Sequence, residues 1–189
     1  AIGAVSDAFA ETVSPETAAR IAVRAEVASD SLMFRDTAVL FAQRRGEVIE
    51  DFGSPLPRAR ILGFGSRPTI VDTVDLPLAR YTRGETERFA ALRPMLREAV
   101  ATKDVALLGE VATASTRINQ NHLPIPAFDR ILAVVDEVGA AGLQTAHSGN
   151  ISGIILDTDA HDVDARTEHA RRLLRRIGIV EQWEFDTND

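Results

Sequence analysis

The chain has 189 residues, a formal net charge of −7, an apolar fraction of 45% and no cysteine. That length suits one domain, or one domain with a fragment of a second, and the lack of Cys excludes disulfides, thiolate metal sites and cysteine nucleophiles. The acidic balance disfavours a broad nucleic-acid or anionic-membrane surface, no apolar run reaches the ~20 residues of a membrane helix, and no basic n-region opens the chain, so a cytoplasmic protein with neither nucleic acid nor membrane as partner is expected.

In chain order, Ile2, Val5 and Phe9 recur at helical spacing, so Ala1 to Glu11 reads as a helix already under way, either a frayed terminus or the edge of something longer. Ser14-Pro15-Glu16-Thr17 carries a capping hydroxyl, a proline at the first helical position and an acid in the first turn, which predicts a helix to about Val27 that buries Ala18, Ile21, Ala22 and Ala25. A polar break at residues 28–31 follows. Ala38 to Gln43 and Val48 to Phe52 read as strands about a turn at Arg44-Arg45-Gly46-Glu47. Arg60 to Phe64 and Thr69 to Val74 are the next strands, with Asp72 and Thr73 at the end of the second.

Residues 84–102 and 103–121 read as two helices, the second with Val105, Leu108, Val111, Ala112, Ser115 and Ile118 on one stripe. Leu123-Pro124-Ile125-Pro126 is a rigid connector, and residues 127–138 form a helix stopped by Gly139 and Gly142. A strand at 143–146, a turn, a strand at 151–156, a helix at 163–177 and a strand at 179–185 complete the order, with residues 187–189 as a tail. The mixture predicts an α+β, split βαβ domain with helices packed on one face of a sheet.

Three polar stretches carry candidate chemistry. Gln144 to Gly153 runs from a strand into small polar residues and out as a strand, so its backbone can approach a ligand closely and form an anion-binding nest, although a glycine-containing hairpin has the same composition. Glu26-Val27-Ala28-Ser29-Asp30-Ser31 places a carboxylate at a helix end beside a strand, where it either orients or deprotonates a hydroxyl, holds a cation, or is simply solvated, with Asp36 as a nearby rival. Asn119-Gln120-Asn121-His122 finishes an apolar-striped helix and faces either a cleft or solvent.

Other signals fail their context. Gly63-Phe64-Gly65-Ser66 opens like a dinucleotide fingerprint but lacks the third glycine and continues as strand. Asp157-Thr158-Asp159 lacks the glycine of a calcium loop, and the four histidines have no zinc spacing, so no metal ligand is assigned within the chain. Arg171, Arg172, Arg175 and Arg176 read as a solvated helix face, with Glu168 placed to pair with Arg172.

Taken in order, Glu26 to Phe34, Asn119 to Pro126 and Ala146 to Gly153 resemble segments of the GHMP kinases, and more closely of their L-threonine kinase branch, met in cobalamin biosynthesis and propanediol utilisation. The resemblance runs over most of the chain. It implies a remnant of the amino-terminal kinase domain at 1–34 and the carboxy-terminal ferredoxin-like domain at 35–186, its helices on one face of an antiparallel sheet. It implies transfer of the γ-phosphoryl group of ATP, with Mg2+, to the hydroxyl of a small alcohol: L-threonine, giving O-phospho-L-threonine, or another such as homoserine.

By position, Asp30 corresponds to the catalytic or substrate-orienting carboxylate. Ser29, Ser31, His147, Asn119 and His122 fall at substrate-binding positions. Ser148, Gly149, Asn150, Ser152 and Gly153 correspond to the motif that supports the phosphate loop. The family's Pro-x-Gly-x-Gly-x-x-Ser-Ser run does not occur in the 189 residues. The expected partner is therefore a missing amino-terminal segment or domain besides the alcohol substrate, with a homodimer left open, and little activity is expected of this chain by itself. A non-catalytic amino-acid-binding or partner-binding α+β module is the alternative.

Overall fold

The structure, a computed structural model, describes residues 13–66, 79–146 and 148–187. The helix expected at residues 1–11, the strand expected at 69–74 with Asp72 and Thr73, and His147 lie outside the described residues. Two compact units divide the chain, the first ending at Pro55 and the second beginning at Leu56. The boundary expected after residue 34 falls inside the first unit.

The first unit is a helix and a hairpin. Helix α1 (Pro15–Glu26) begins where the sequence predicts: the Ser14 hydroxyl accepts the Thr17 N–H at 3.3 Å, Pro15 opens the first turn and Glu16 faces the positive end of the helix dipole. It stops abruptly at Val27, which adopts φ 66°, a left-handed conformation unfavourable for a β-branched side chain. Only Ala19 of the helix is fully buried, so the stripe expected from Ala18 to Ala25 is largely half-exposed. Strands β1 (Val39–Ala42) and β2 (Glu47–Asp51) pair antiparallel with a bulge between Leu40 and Phe41. Their turn uses Gly46 at φ 67°, and a Cβ at Gly46 would stand 3.0 Å from the Ala19 carbonyl oxygen, so this glycine serves both the turn and its packing on α1.

The second unit contains β3 (Ala59–Gly65), α2 (Arg83–Thr102), α3 (Val105–Asn119), α4 (Phe128–Glu137), β4 (Gly142–Thr145), β5 (Ile151–Asp157), α5 (Val163–Arg176) and β6 (Gln182–Asp186). The strands form one antiparallel sheet in the order β4-β5-β3-β6, the βαββαβ arrangement of a ferredoxin-like fold. The fold class read from the sequence is thereby met.

The pleat sends alternate residues to opposite faces. Leu62, Phe64, Leu143, Ile154 and Leu156 point to the main core, where Ile131, Leu132 and Val135 of α4 and Ala170, Leu173 and Leu174 of α5 cover them. Helices α4 and α5 therefore occupy one face as expected. A smaller cluster of Ala59, Ile61 and Ile155 packs on Val105 of α3, so helix packing reaches the second face as well. The close approach of α3 explains this. A Cβ at Gly109 would lie 2.2 Å from the Ala141 carbonyl oxygen, so only glycine lets the helix backbone touch the start of β4.

Thr113 accepts the Leu143 N–H at 2.9 Å and Thr116 donates to the Leu143 carbonyl at 3.4 Å, so α3 satisfies the open edge of β4. The buried stripe of α3 is accordingly Val105, Gly109, Val111, Thr116 and Ile118; Leu108 and Ser115 are only half-buried.

At the far edge, Arg60 of β3 holds Asp186 of β6 at 2.8 Å and Asp164 of α5 at 2.5 Å. The last strand starts at Gln182 rather than 179, because Gly178 at φ 93° and the Ile179 N–H to Leu174 carbonyl bond are still closing α5. Thr187 is not a loose tail: its N–H reaches the Ala59 carbonyl at 2.8 Å and its hydroxyl the Pro57 carbonyl at 2.7 Å. Among the described residues no helix is long and apolar enough to cross a membrane.

Candidate active site

The turn between β4 and β5 is built from its own backbone and from the end of β3. The Ala146 N–H bonds the Ile151 carbonyl and the Gly149 N–H bonds the Ala146 carbonyl, both at 2.9 Å, which closes the loop over residues 148–150. Gly149 sits at φ 70°, where any side chain would be strained. Ser148 contributes its hydroxyl as acceptor for the Asn150 N–H at 3.4 Å.

Ser66 grips the turn twice, its N–H bonding the Asn150 carbonyl at 2.7 Å and its hydroxyl the Gly149 carbonyl at 3.0 Å. Ser152 donates to the Ser66 hydroxyl at 3.2 Å, and Thr145 and Ser152 share a further hydroxyl contact at 3.0 Å. Ser152 is fully buried and Ser66 nearly so, so these bonds form away from water, where an unmade bond would be costly. Among the described residues, the Asn150 Oδ1 atom is buried there without a hydrogen-bond partner. Buried acceptors of this kind are rare and mark a place where a donor belongs.

Gly153 has a different reason to be glycine. A Cβ there would come within 2.6 Å of Ile61 Cγ2 and 2.8 Å of Gln144 Nε2, so packing across the sheet excludes a side chain. Gly63 is required in the same way by the Trp183 indole, 2.5 Å from where its Cβ would stand. The Gly63 to Ser66 run is thus neither a nucleotide fingerprint nor idle. On its other side, Gly65 and Ser66 wall a cleft of about 370 Å3 with Ala127, Gly178 and Glu181.

The Asn119 to His122 stretch forms a second polar centre around Glu85, a carboxylate only 4% exposed. Thr82 and Glu85 make a reciprocal capping box at the start of α2: the Thr82 N–H reaches Glu85 Oε2 at 2.8 Å and the Glu85 N–H reaches the Thr82 hydroxyl at 3.2 Å. The Asn121 amide donates to Glu85 Oε1 at 2.9 Å, and His122 Nε2 lies 3.3 Å from Glu85 Oε2, within ion-pair reach. The Thr82 N–H, the Asn121 amide and the hydroxyl and imidazole beside them hold the Glu85 carboxyl down to about 2, against the opposing effect of burial. Tyr81 donates to Asn119 Oδ1 at 2.7 Å and lies edge-on to His122, with ring centroids 4.6 Å apart. Asn119 and His122 therefore spend part of their bonding joining the start of α2 to the end of α3.

Ser29, Asp30 and Ser31 belong to the first unit, the turn and the Glu85 centre to the second. Ser29 N–H bonds the Gln43 carbonyl at 3.0 Å, which seats the loop after α1 against the end of β1, and its hydroxyl reaches the Asp30 carbonyl at 3.1 Å. The Ser31 carbonyl accepts the Phe34 N–H at 3.0 Å. Asp30 is exposed at the helix end beside a strand, as the sequence predicts. An exposed carboxylate of this type fits a magnesium ion, which draws most of its ligands from water and phosphate. The acids between β5 and α5 are engaged within the chain: Asp157 accepts the Asp159 N–H at 2.9 Å and Asp162 pairs with Arg166 at 2.9 Å.

Sequence reasoning missed Ser66 and Glu85, and took in Thr145 only as part of the Gln144 to Gly153 stretch. Thr82-x-x-Glu85 was a legible capping signal. Ser66 and Thr145 carry no local signal, since their partners lie on other strands.

No family model matches the chain. It is 44% identical over 69 residues to an L-threonine kinase of Citrobacter freundii, a stretch that is 36% of this chain and 24% of that protein. It is 41% identical over 69 residues to an L-threonine kinase of Salmonella typhimurium, 36% of this chain and 23% of that protein. The chain thus spans less than a quarter of the curated relatives it matches.

In fold it is similar to the L. major mevalonate kinase solved with R-mevalonate (TM-score 0.60, 12% identity, 79% of this chain and 48% of that one). It is similar also to the mevalonate kinase of Staphylococcus aureus MRSA252 (TM-score 0.53, 7% identity, 77% and 47%). In sequence the chain resembles the L-threonine kinase branch of the GHMP kinases, and in fold the GHMP kinases.

Proposed function

We propose that this chain carries the carboxy-terminal α+β domain of a GHMP kinase that phosphorylates the hydroxyl of L-threonine. The observation that carries the reading is the 44% likeness to an L-threonine kinase over 69 residues. The glycine-dependent, small-residue turn at Ser148–Asn150, with its buried Asn150 acceptor unpartnered among the described residues, supports a ligand-facing role for the corresponding motif.

In this reading Asp30 orients the threonine hydroxyl or takes its proton. Ser29, Ser31, His147, Asn119 and His122 line the substrate. Ser148, Gly149 and Asn150 support the phosphate loop at the surface of the turn, while Ser152 and Gly153 support it from within the sheet. ATP supplies the phosphoryl group and magnesium spreads the charge of its oxygens. The chain's own task is placement, on which phosphoryl transfer depends almost wholly. The loop amides that cradle the triphosphate are supplied from outside these 189 residues, so the isolated chain turns over slowly or not at all.

A coupled assay of the whole protein with ATP, Mg2+ and L-threonine tests this. Turnover is expected, and Asp30→Asn is expected to lower kcat by about 10²-fold or more. Turnover of homoserine but not threonine moves the substrate and keeps the reaction. Tight amino-acid binding with no nucleotide dependence and no turnover of any small alcohol overturns the proposal in favour of a binding module.

A further inference from the structure

Of the hydroxyls behind the β4–β5 turn, those of Ser66 and Thr145 have no role in the kinase reading above, on which the following inference rests. Three strands each contribute one: Ser66 just past the end of β3, Thr145 at the end of β4 and Ser152 in β5. They form a line, Thr145 to Ser152 at 3.0 Å and Ser152 to Ser66 at 3.2 Å, which ends on the Gly149 carbonyl at 3.0 Å. No charged group takes part. Ser152 is 0% exposed and Ser66 6%, so water does not substitute for a missing member.

Hydroxyls are costly to place at such depth unless they are bonded. What the line achieves is geometric. Ser66 takes two consecutive carbonyls of the turn, those of Gly149 and Asn150, and turns both toward β3. With those carbonyls committed inward, the peptide planes of the 148–150 loop are fixed, Gly149 is held at φ 70°, and the direction of the loop's N–H groups follows. A turn that supports a phosphate-binding loop needs its carbonyls withdrawn, because a carbonyl oxygen facing a triphosphate repels it.

We infer that Ser66 is a positioning residue for phosphoryl transfer, acting through the Thr145–Ser152–Ser66 hydroxyl relay, buried at Ser66 and Ser152, to fix the peptide planes of the Ser148–Asn150 turn. Ser66 touches neither substrate nor phosphate in this account. It sets the turn that supports the phosphate loop.

The test pairs amide hydrogen exchange with kinetics on the whole protein. In Ser66→Ala, exchange at residues 149–152 is expected to rise by about tenfold, the scale of one buried hydrogen bond, while the amides of Ile131 to Val135 in the main core keep their protection. With ATP, Mg2+ and L-threonine, kcat is expected to fall by about tenfold and KM for L-threonine to stay within about twofold, because a misaimed turn weakens transition-state placement more than ground-state binding. Thr145→Val keeps the shape and removes the far hydroxyl, so the same pattern is expected at about threefold. Should Ser66→Ala lose core protection as well, Thr145→Val decides alone.

A turn that exchanges as in the wild type, or a loosened turn with unchanged kcat, overturns the relay. An active wild type with indifferent variants sinks the relay only, whereas a wild type that phosphorylates no small alcohol sinks the kinase reading and the relay together.

Discussion

Two buried polar centres in the second unit solve opposite problems. Around Glu85 a single carboxylate, 4% exposed, collects the Thr82 backbone, the Thr82 hydroxyl, the Asn121 amide and the His122 ring. Both its oxygens are satisfied, and the result ties one helix start to one helix end. Around Ser66 only neutral hydroxyls and carbonyls meet, on the ends of three strands, and an acceptor is left over at Asn150. The carboxylate of the charged centre is fully engaged and serves architecture, while His122 Nε2 beside it makes no hydrogen bond of good geometry among the described residues. A neutral centre with a spare acceptor at its rim can hold a loop still and leave it able to bind. The contrast shows why polar residues in a cleft cannot be ranked by polarity alone: what matters is how much bonding capacity remains after the fold has taken its share.

The sharpest way to break this comparison is to remove Glu85. Glu85→Ala strands the Thr82 N–H and the Asn121 amide and leaves α2 only the Thr82 half of its capping box, so the thermal midpoint of unfolding is expected to drop by about 5–10 °C. Ser66→Ala deletes one neutral hydroxyl and is expected to cost about 1 kcal/mol, a shift of only a few degrees, with its main consequence in turn exchange and kcat. Differential scanning calorimetry of both variants checks the ranking. Equal losses of stability would mean that the hydroxyl line is as architectural as the carboxylate.

The sequence made the two centres unequally visible. Helix starts at Ser14 and at residues 83–84, the Gly46 turn and the β4–β5 hairpin were legible because capping residues, glycines and apolar periods act within a few residues of one another. The Asn119–His122 cluster was found but its engagement was not, since Glu85 lies more than thirty positions away. Ser66 was read only as the tail of a failed glycine fingerprint. Its bonds to Gly149 and Ser152 span 83 and 86 residues, and nothing in a linear pattern encodes a pairing register of that length. The packing roles of Gly63, Gly109 and Gly153 were invisible for the same reason. A glycine that admits another element's backbone or indole looks, in sequence, like any flexible one. Asp30 was legible as a helix-end carboxylate because Val27 ends α1 just before it, but its chemistry was legible only by resemblance.

The two centres also part company in acid. Glu85 titrates near 2 in the folded protein, below its ordinary 4.5, so the unfolded chain binds its proton first as pH falls. The stabilisation it gives is complete above pH 4.5 and is lost progressively as pH falls toward 2. The Ser66 line has no titrating member and stays constant over that window. Urea unfolding at pH 6 and at pH 3 is therefore expected to show a smaller acid loss in Glu85→Gln than in the wild type, and an unchanged loss in Ser66→Ala. If Glu85→Gln fell as steeply as the wild type, the acid sensitivity would belong to other carboxylates.

The mildest intervention probes the outer layer of the charged centre. Tyr81→Phe removes the bond to Asn119 Oδ1 but keeps the edge-on contacts with His122 and with Phe89, whose centroid is 5.1 Å away. The tyrosine is 42% exposed, so water replaces its hydroxyl at the Asn119 oxygen and the expected loss is about 0.5 kcal/mol or less. That small number is informative because of what it frees. Asn119 loses its one protein partner at Oδ1 while its place at the end of α3 is unchanged. If Asn119 contacts the acceptor alcohol, as the kinase reading has it, Tyr81→Phe alters KM for L-threonine while stability hardly moves. If Asn119 is purely a strut between helices, stability and KM both stay put. A KM shift without a stability shift would show that one face of the closed centre still reaches the substrate, and the division drawn here between architecture and binding would then run through Asn119 rather than between the two clusters.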